Sequence, residues 1–173
     1  MAKKLNLIFG LAGKKHSGKT TAADLLVEHY AKVGWSAVRV GFADKLKRDV
    51  AKVFGPYKEE QKSVLRPVYQ AVGQAMKEIH GQTVWLEAWR ENQHTLIEKR
   101  YNVFIIDDVR FPFEADFIRA LGGEVYRIKR PETDVVVDNH PSETYVDEIV
   151  PDRVITASDL KELHEELNKL HYA

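Results

Sequence analysis

A chain of 173 residues with 26 lysines and arginines against 26 aspartates and glutamates carries no formal net charge, so it lacks the basic excess that a general grip on nucleic acid or an anionic membrane requires. It has no cysteine, which excludes a disulfide framework and any thiolate metal site and fits a reducing compartment. The length suits a single domain with its own core, and the longest apolar runs, such as VFII at 103–106, fall far short of a bilayer span. MAKKLNLIFGLAG imitates a signal peptide only in outline, because its apolar run feeds straight into a lysine-rich loop; a cytoplasmic protein is expected.

LNLIFGLA (5–12) reads as a buried strand. Apolar residues at helical spacing from Thr20 to Val33 (Ala23, Leu26, Val27, Tyr30) follow it, stopped by Gly34. SAVRVGF (36–42) reads as a second strand, and FADKLKRDVAKVFG as a helix with Leu46, Val50, Val53 and Phe54 on one face. From Glu59 to Arg100 the pattern is helical, with breaks expected near Pro67 and Gly81. YNVFIIDD (101–108) is a third strand ending in two acids; 111–121 is a helix closed by Gly122 and Gly123; EVYRIKR (124–130) is a fourth strand with alternating charges on one face. The polar, proline-containing stretch 130–151 reads as an irregular excursion, DRVIT (152–156) as a last strand, and 158–170 as an amphipathic covering helix capped by Ser158. Strands alternating with helices imply an α/β fold, a three-layer parallel sheet with helices on both faces.

Gly13-Lys14-Lys15-His16-Ser17-Gly18-Lys19-Thr20 satisfies G-x-x-x-x-G-K-[ST], with a strand before it and a helix after it. Glycines let the backbone curl around an anion with its N–H groups pointing inward, and the helix start adds the positive end of a dipole. Gly13, Ser17, Gly18, Lys19, Thr20 and Thr21 are therefore the candidate triphosphate cradle, with Lys19 reaching the β- and γ-phosphates and Thr20 binding Mg2+. Lys14, Lys15 and His16 occupy variable positions and are expected to be solvated, with an accessory phosphate contact open to Lys15. Such loops need an acid at a nearby strand end for the metal shell, which Asp107 supplies; Asp108 is a candidate to orient the acceptor or Arg110. Arg110, just past that strand, is placed to face the transferring phosphate, against the plainer alternative of a surface pair with Glu114. Trp85 and Trp89 lie on one helical face and read first as core, with Trp85 a candidate wall for a base; His80 and His140 lack metal-ligand spacing.

GKKHSGKTTAADLL, GFADKLK, RPVYQAVGQAM, IIDDVRFPFEADFIRALGGEVYRIKRP and HPSE together resemble the bacteriophage deoxynucleoside monophosphate kinases, small members of the phosphate-loop nucleoside monophosphate kinase group. The resemblance implies one phosphate-loop kinase domain over 1–173, with an acceptor-binding helical region at about 43–100 and a lid at about 130–150. It implies transfer of a phosphoryl group from ATP, with Mg2+, to a deoxynucleoside 5′-monophosphate. It also implies acceptor contacts from Lys45, Arg66, Gln70, Arg110, Glu114 and Trp85, and an ATP contact from Arg130 at the lid. The implied partners are these two small molecules, with no nucleic-acid polymer and no membrane, and the assembly stays open between monomer and homodimer. The chain departs from the pattern where the family has a proline at Asp44 or Lys45, and where Gly73-Gln74 and Lys77 replace Gly-Thr and an arginine. These changes bear on the accepted base more than on the reaction. The alternatives are another small-molecule kinase of this architecture, such as one acting on dephospho-coenzyme A, or a phosphate-loop ATPase or nucleotide-gated binding module. The latter would need a water-activating residue that Asp-Val-Arg after Asp107 does not supply.

Overall fold

LIFGLA forms the central strand of the molecule because its residues are buried on both sides, as a strand covered by helices on both faces must be. In the computed structural model, which describes residues 6–55, 62–131 and 141–170, the elements run β1 (Leu7–Ala12), α1 (Lys19–Lys32), β2 (Ala37–Arg39), α2 (Asp44–Phe54), α3 (Lys62–His80), α4 (Val84–Glu98), β3 (Val103–Val109), α5 (Pro112–Ala120), β4 (Glu124–Lys129), α6 (Pro141–Glu148), β5 (Arg153–Thr156) and α7 (Leu160–Lys169). The described residues fall into two units, Phe42–Leu96 and the remainder on either side of it.

The first unit is the sheet. Its five strands lie in the order β2-β3-β1-β4-β5, all parallel, with helices on both faces. Alternation decides which residues meet which helix. Phe9, Leu11, Val103, Ile105, Tyr126, Ile128 and Ile155 turn to one face and pack with Ala22, Ala23, Leu26 and Tyr30 of α1 and Leu163 and Leu167 of α7. On the other face α5 lies over β1 and β4, and α6 packs beside α5. Ile118 of α5 presses close here: a Cβ on Gly10 would stand 2.5 Å from its Cδ1, and one on Gly123 would stand 2.9 Å from its Cγ2 and 2.6 Å from the Ile8 carbonyl oxygen.

The second unit is helical. Leu46 of α2 lies against Gly73 of α3, where a Cβ would come within 3.2 Å of Leu46 Cδ2, and Phe42 meets the buried Trp89 of α4 edge-on at 5.9 Å between ring centres.

Several expectations are corrected. Val53 and Phe54 are exposed, leaving Leu46 and Val50 as the buried stripe of α2. Pro67 does not break its helix; α3 runs through it to His80, the proline's missing N–H costing one bond to the Ser63 carbonyl. The strand expected at 36–42 is confined to Ala37–Arg39. Residues 141–148 form α6 rather than an irregular stretch, while 132–140, most of the expected lid and including His140, lie outside the described residues. Asp159, not Ser158, caps α7: its carboxylate accepts the Glu162 N–H at 2.9 Å, and Glu162 reaches back to the Ser158 N–H at 2.8 Å.

Gly123→Ala should lower the unfolding free energy by about 1–3 kcal/mol, because the new methyl meets a backbone carbonyl that cannot swing aside. The measurement is a urea midpoint with unchanged slope; an unshifted midpoint would mean that β4 moves away from β1 at no cost.

Candidate functional site

β1 delivers the chain to the carboxyl edge of the sheet, where open parallel sheets bind their ligands, and the loop 13–18 turns there into α1. Gly13 admits no other residue, since a Cβ would lie 2.5 Å from the Ile128 carbonyl oxygen and 2.6 Å from Ser17 Oγ. The turn needs left-handed backbone at His16 (φ 64°) and Gly18 (φ 94°). At His16, a non-glycine residue holds that strained conformation, a local cost that tight ligand-binding turns commonly carry. Gly18 is the N-cap of α1 and contributes no side-chain cap, so the first turn of α1 opens on main-chain N–H groups that no carbonyl of the helix itself can reach.

Lys19 is buried and curls back over the loop. Its ammonium donates to the Gly13 and Lys14 carbonyls, each at 2.7 Å, with Ser17 Oγ at 3.5 Å. Carbonyls aimed at an ammonium order that charge at the centre of a ring of backbone, where an anion's oxygens would meet it. Thr20 sits one residue on, exposed, its hydroxyl donating to Asp107 Oδ2 at 3.3 Å. Thr21 and Lys15 are exposed beside it. These loop and strand-end residues suit a triphosphate with Mg2+. Such a metal takes one or two carboxylates and completes its shell with phosphate oxygens and water, so the absence, among the described residues, of any group of three or more His, Asp or Glu side chains able to hold a metal is no obstacle.

β3 continues through both acids to Val109, which corrects the expectation that it ends in them. Because they are adjacent in a strand, the two carboxylates leave on opposite faces. Asp107 follows Val103 and Ile105 toward α1, meeting Thr20 and lying 3.9 Å from Arg39 Nε. Asp108 packs on Gly41 so closely that a Cβ there would be 2.5 Å from Oδ2. Arg39 was not singled out in the sequence. It also pairs with Asp24 at 2.8 Å. Two signals pointed to it: Asp24 stands one helical turn after Thr20, and β2 aligns Arg39 with Ile105, two residues before Asp107.

Glu114 has a main-chain duty that its spacing from Arg110 did not announce. It is buried in the first turn of α5, and its Oε2 accepts the backbone N–H groups of Arg110 (2.7 Å) and Phe111 (3.1 Å). The carboxylate therefore fixes the main chain that carries Arg110, which is half-buried at the end of β3. Arg130 is exposed just past β4. Lys14 is no solvated bystander, since its ammonium lies 3.4 Å from Asp147 of α6. The expected row of charges on one face of β4 is also corrected: Arg127 is buried and bonded to Asp147 and to the Ile149 carbonyl.

The remaining candidates belong to the helical unit. Arg66 and Gln70 are exposed on α3, one turn apart; Lys45 is half-buried on α2 and paired with Asp49, whose carboxyl that ammonium and the one of Lys52 hold below its usual range. Trp85 is half-buried and Trp89 is core. A cavity of about 360 Å³ lies elsewhere, at the amino ends of β1, β4 and β5, lined among others by Tyr30, Glu124, Tyr126 and Arg153. Burial there pushes the Tyr30 hydroxyl up to about 12, and the Tyr126 hydroxyl donates to Glu124 at 2.7 Å, so both phenols stay protonated at neutral pH. None of the motif residues faces it.

Comparison with known proteins bears on the family and the fold of the chain. Residues 57–167 match the model of a family described as deoxynucleotide monophosphate kinase. A protein of Acanthamoeba polyphaga mimivirus, named as a candidate deoxynucleotide monophosphate kinase, is 33% identical over 79% of this chain and 80% of its own length. That relative is viral but not from a bacteriophage. A crystal structure of a candidate kinase from Chloroflexus aurantiacus superposes with a TM-score of 0.53 over 98% of this chain and 96% of that one; at 11% identity the likeness is one of fold. No helix among the described residues is long and apolar enough to cross a membrane.

Glu114→Ala should destabilise the chain by about 1–3 kcal/mol, the cost of leaving buried N–H groups without an acceptor. Chemical denaturation measures it, with Glu98→Ala as a control on the exposed end of α4; a loss equal to the control's would mean that the carboxylate does not hold the Arg110 backbone.

Proposed function

Because the chain belongs to the deoxynucleotide monophosphate kinase family, we propose that it transfers the γ-phosphoryl group of ATP, with Mg2+, to a deoxynucleoside 5′-monophosphate, as the bacteriophage enzymes its motifs resemble are expected to do. The observation that carries the reading is the buried Lys19 ammonium on the Gly13 and Lys14 carbonyls, at the uncapped start of α1 and beside the Thr20–Asp107 contact.

In this reading Gly13, Ser17, Gly18, Thr20 and Thr21 cradle the triphosphate through main-chain N–H groups, with Lys15 and Arg130 as outer contacts. Lys19 exchanges its carbonyl partners for phosphate oxygens. Thr20 and Asp107, already in contact with each other, would hold Mg2+. When bound, the metal neutralises charge on the phosphate oxygens. Arg110 faces the transferring phosphoryl group, and Glu114 keeps the arginine's main chain in register, so less of its side-chain freedom has to be removed at the moment of reaction. Arg39, 3.9 Å from Asp107, helps to hold that carboxylate in place. On the helical unit, Lys45 and Arg66 supply cations for the acceptor phosphate, Gln70 reads a base edge and Trp85 offers a flat apolar wall. Asp108, packed on Gly41, orients the acceptor in this reading. The residues after Asp107 include no glutamate or glutamine set to activate water, which favours transfer to an acceptor over hydrolysis.

A coupled assay of ADP release with each of the deoxynucleoside monophosphates tests this. ADP should appear only when an acceptor is present, and release at the same rate without any acceptor would sink the kinase reading. Lys19→Ala and Arg110→Ala should each lose about 100-fold or more in kcat/KM. Arg66→Ala should act chiefly on the acceptor KM, by about 10-fold; wild-type kinetics across acceptor concentrations would place the acceptor site elsewhere.

A further inference from the structure

Lys14 has two attachments that the loop motif does not require. Its carbonyl accepts both the Lys19 ammonium, at 2.7 Å, and the Ser17 N–H, at 3.2 Å, so the position of this one peptide sets where Lys19 points and how tightly the loop turns. Its side chain is three-quarters covered, and the ammonium lies 3.4 Å from Asp147 Oδ2 near the end of α6. The other oxygen of Asp147 accepts from Arg127 Nη1 at 2.9 Å. Arg127 is well held: it is buried in β4 opposite Ala12, the last residue of β1, and its Nη2 donates to the Val146 and Ile149 carbonyls at the end of α6. One carboxylate thus joins a fixed cation of the sheet to a cation of the loop.

An exposed ion pair by itself contributes little to stability, about 0–1 kcal/mol. This one differs in what it orders. Asp147 is anchored by a buried guanidinium that also grips the end of its helix, so the carboxylate offers Lys14 a preset position rather than a floating partner. Two cations share the single negative charge, so the carboxylate's own repulsion of a nearby anion is largely cancelled.

We propose that Asp147 is a positioning residue for the phosphate loop: held by Arg127, it fixes Lys14 and through the Lys14 carbonyl presets Lys19 for the triphosphate. The inference rests on the reading of loop 13–20 as the ATP site. It extends the donor site from β1 and α1 to α6, on the opposite face of the sheet.

Calorimetric titration of the full chain with ATP and Mg2+ tests it on wild type, Asp147→Asn, Lys14→Met, Lys14→Arg and the double variant Lys14→Met/Asp147→Asn. Asp147→Asn should weaken ATP binding by about 3–10-fold, the scale of one ordered charged contact. Lys14→Met should weaken it similarly, and the double variant no further than the worse single one, because both break the same link. Lys14→Arg, which keeps a cation in reach, should stay within about 2-fold of wild type, and the acceptor KM of Asp147→Asn should stay within the same margin. A carboxylate acting only through its charge would give the opposite sign, tighter ATP binding by Asp147→Asn. That result, unchanged affinity, multiplied losses in the double variant, a loss in Lys14→Arg equal to that of Lys14→Met, or an acceptor KM shifted as much as ATP binding would overturn the proposal. Wild type that binds no ATP would overturn both this and the kinase reading, whereas wild type that binds ATP alongside an unaffected Asp147→Asn would overturn this alone.

Discussion

The approach of Gly13 to the Ile128 carbonyl is the constraint on which the site depends. The first strand lies in the middle of the sheet, with β3 on one side and β4 on the other, and its chain must leave across the end of β4 without a side chain in the way. Only glycine allows that. Once the chain is pinned there, the loop can close only through left-handed backbone at His16 and Gly18, and closing it brings two carbonyls onto the Lys19 ammonium and starts α1 with no side-chain cap. The chemistry of the loop is the consequence of a packing requirement between two strands.

The second strand of the site works by parity. Consecutive residues of β3 face opposite layers, so the pair of aspartates is divided by the same alternation that sends Ile105 and Ile106 to opposite sides. Asp107 joins Thr20 and Arg39, and Asp108 settles on Gly41. Past the strand end the chain turns into α5, and there a buried glutamate rather than an arginine sets the geometry, because two main-chain N–H groups at the start of a helix need an acceptor and Glu114 is the residue in reach.

Where the sequence was misread, local pattern lost to tertiary packing. Val53 and Phe54 continue the apolar spacing of Leu46 and Val50, yet α2 buries only the first two. Spacing assigns residues to a stripe but does not say how far along the helix the stripe is covered. A proline predicts a break in a helix, but one lost bond is a small part of a helix as long as α3. The polar stretch before β5 read as irregular, and its second half became α6, whose end is gripped by Arg127; that grip comes from a residue in another element, which no window along the chain contains. Lys14 read as a variable loop position for the same reason: Asp147 is its partner only because α6 lies where it does.

The sequence by itself determined the glycine- and lysine-rich loop 13–20 with its flanking strand and helix, the identity of the acidic strand, and the alternation of strands with helices that makes the sheet parallel and covered on both faces. Each of these rests on residues close together in the chain, where spacing alone fixes which side chains share a face or a turn. Only the tertiary structure decided the order β2-β3-β1-β4-β5, the partners that Asp107 and Asp108 meet, and the linkage Arg127–Asp147–Lys14. These arise between residues far apart in the chain, and their partners are chosen by which elements pack together, a property of the folded whole that no local spacing carries.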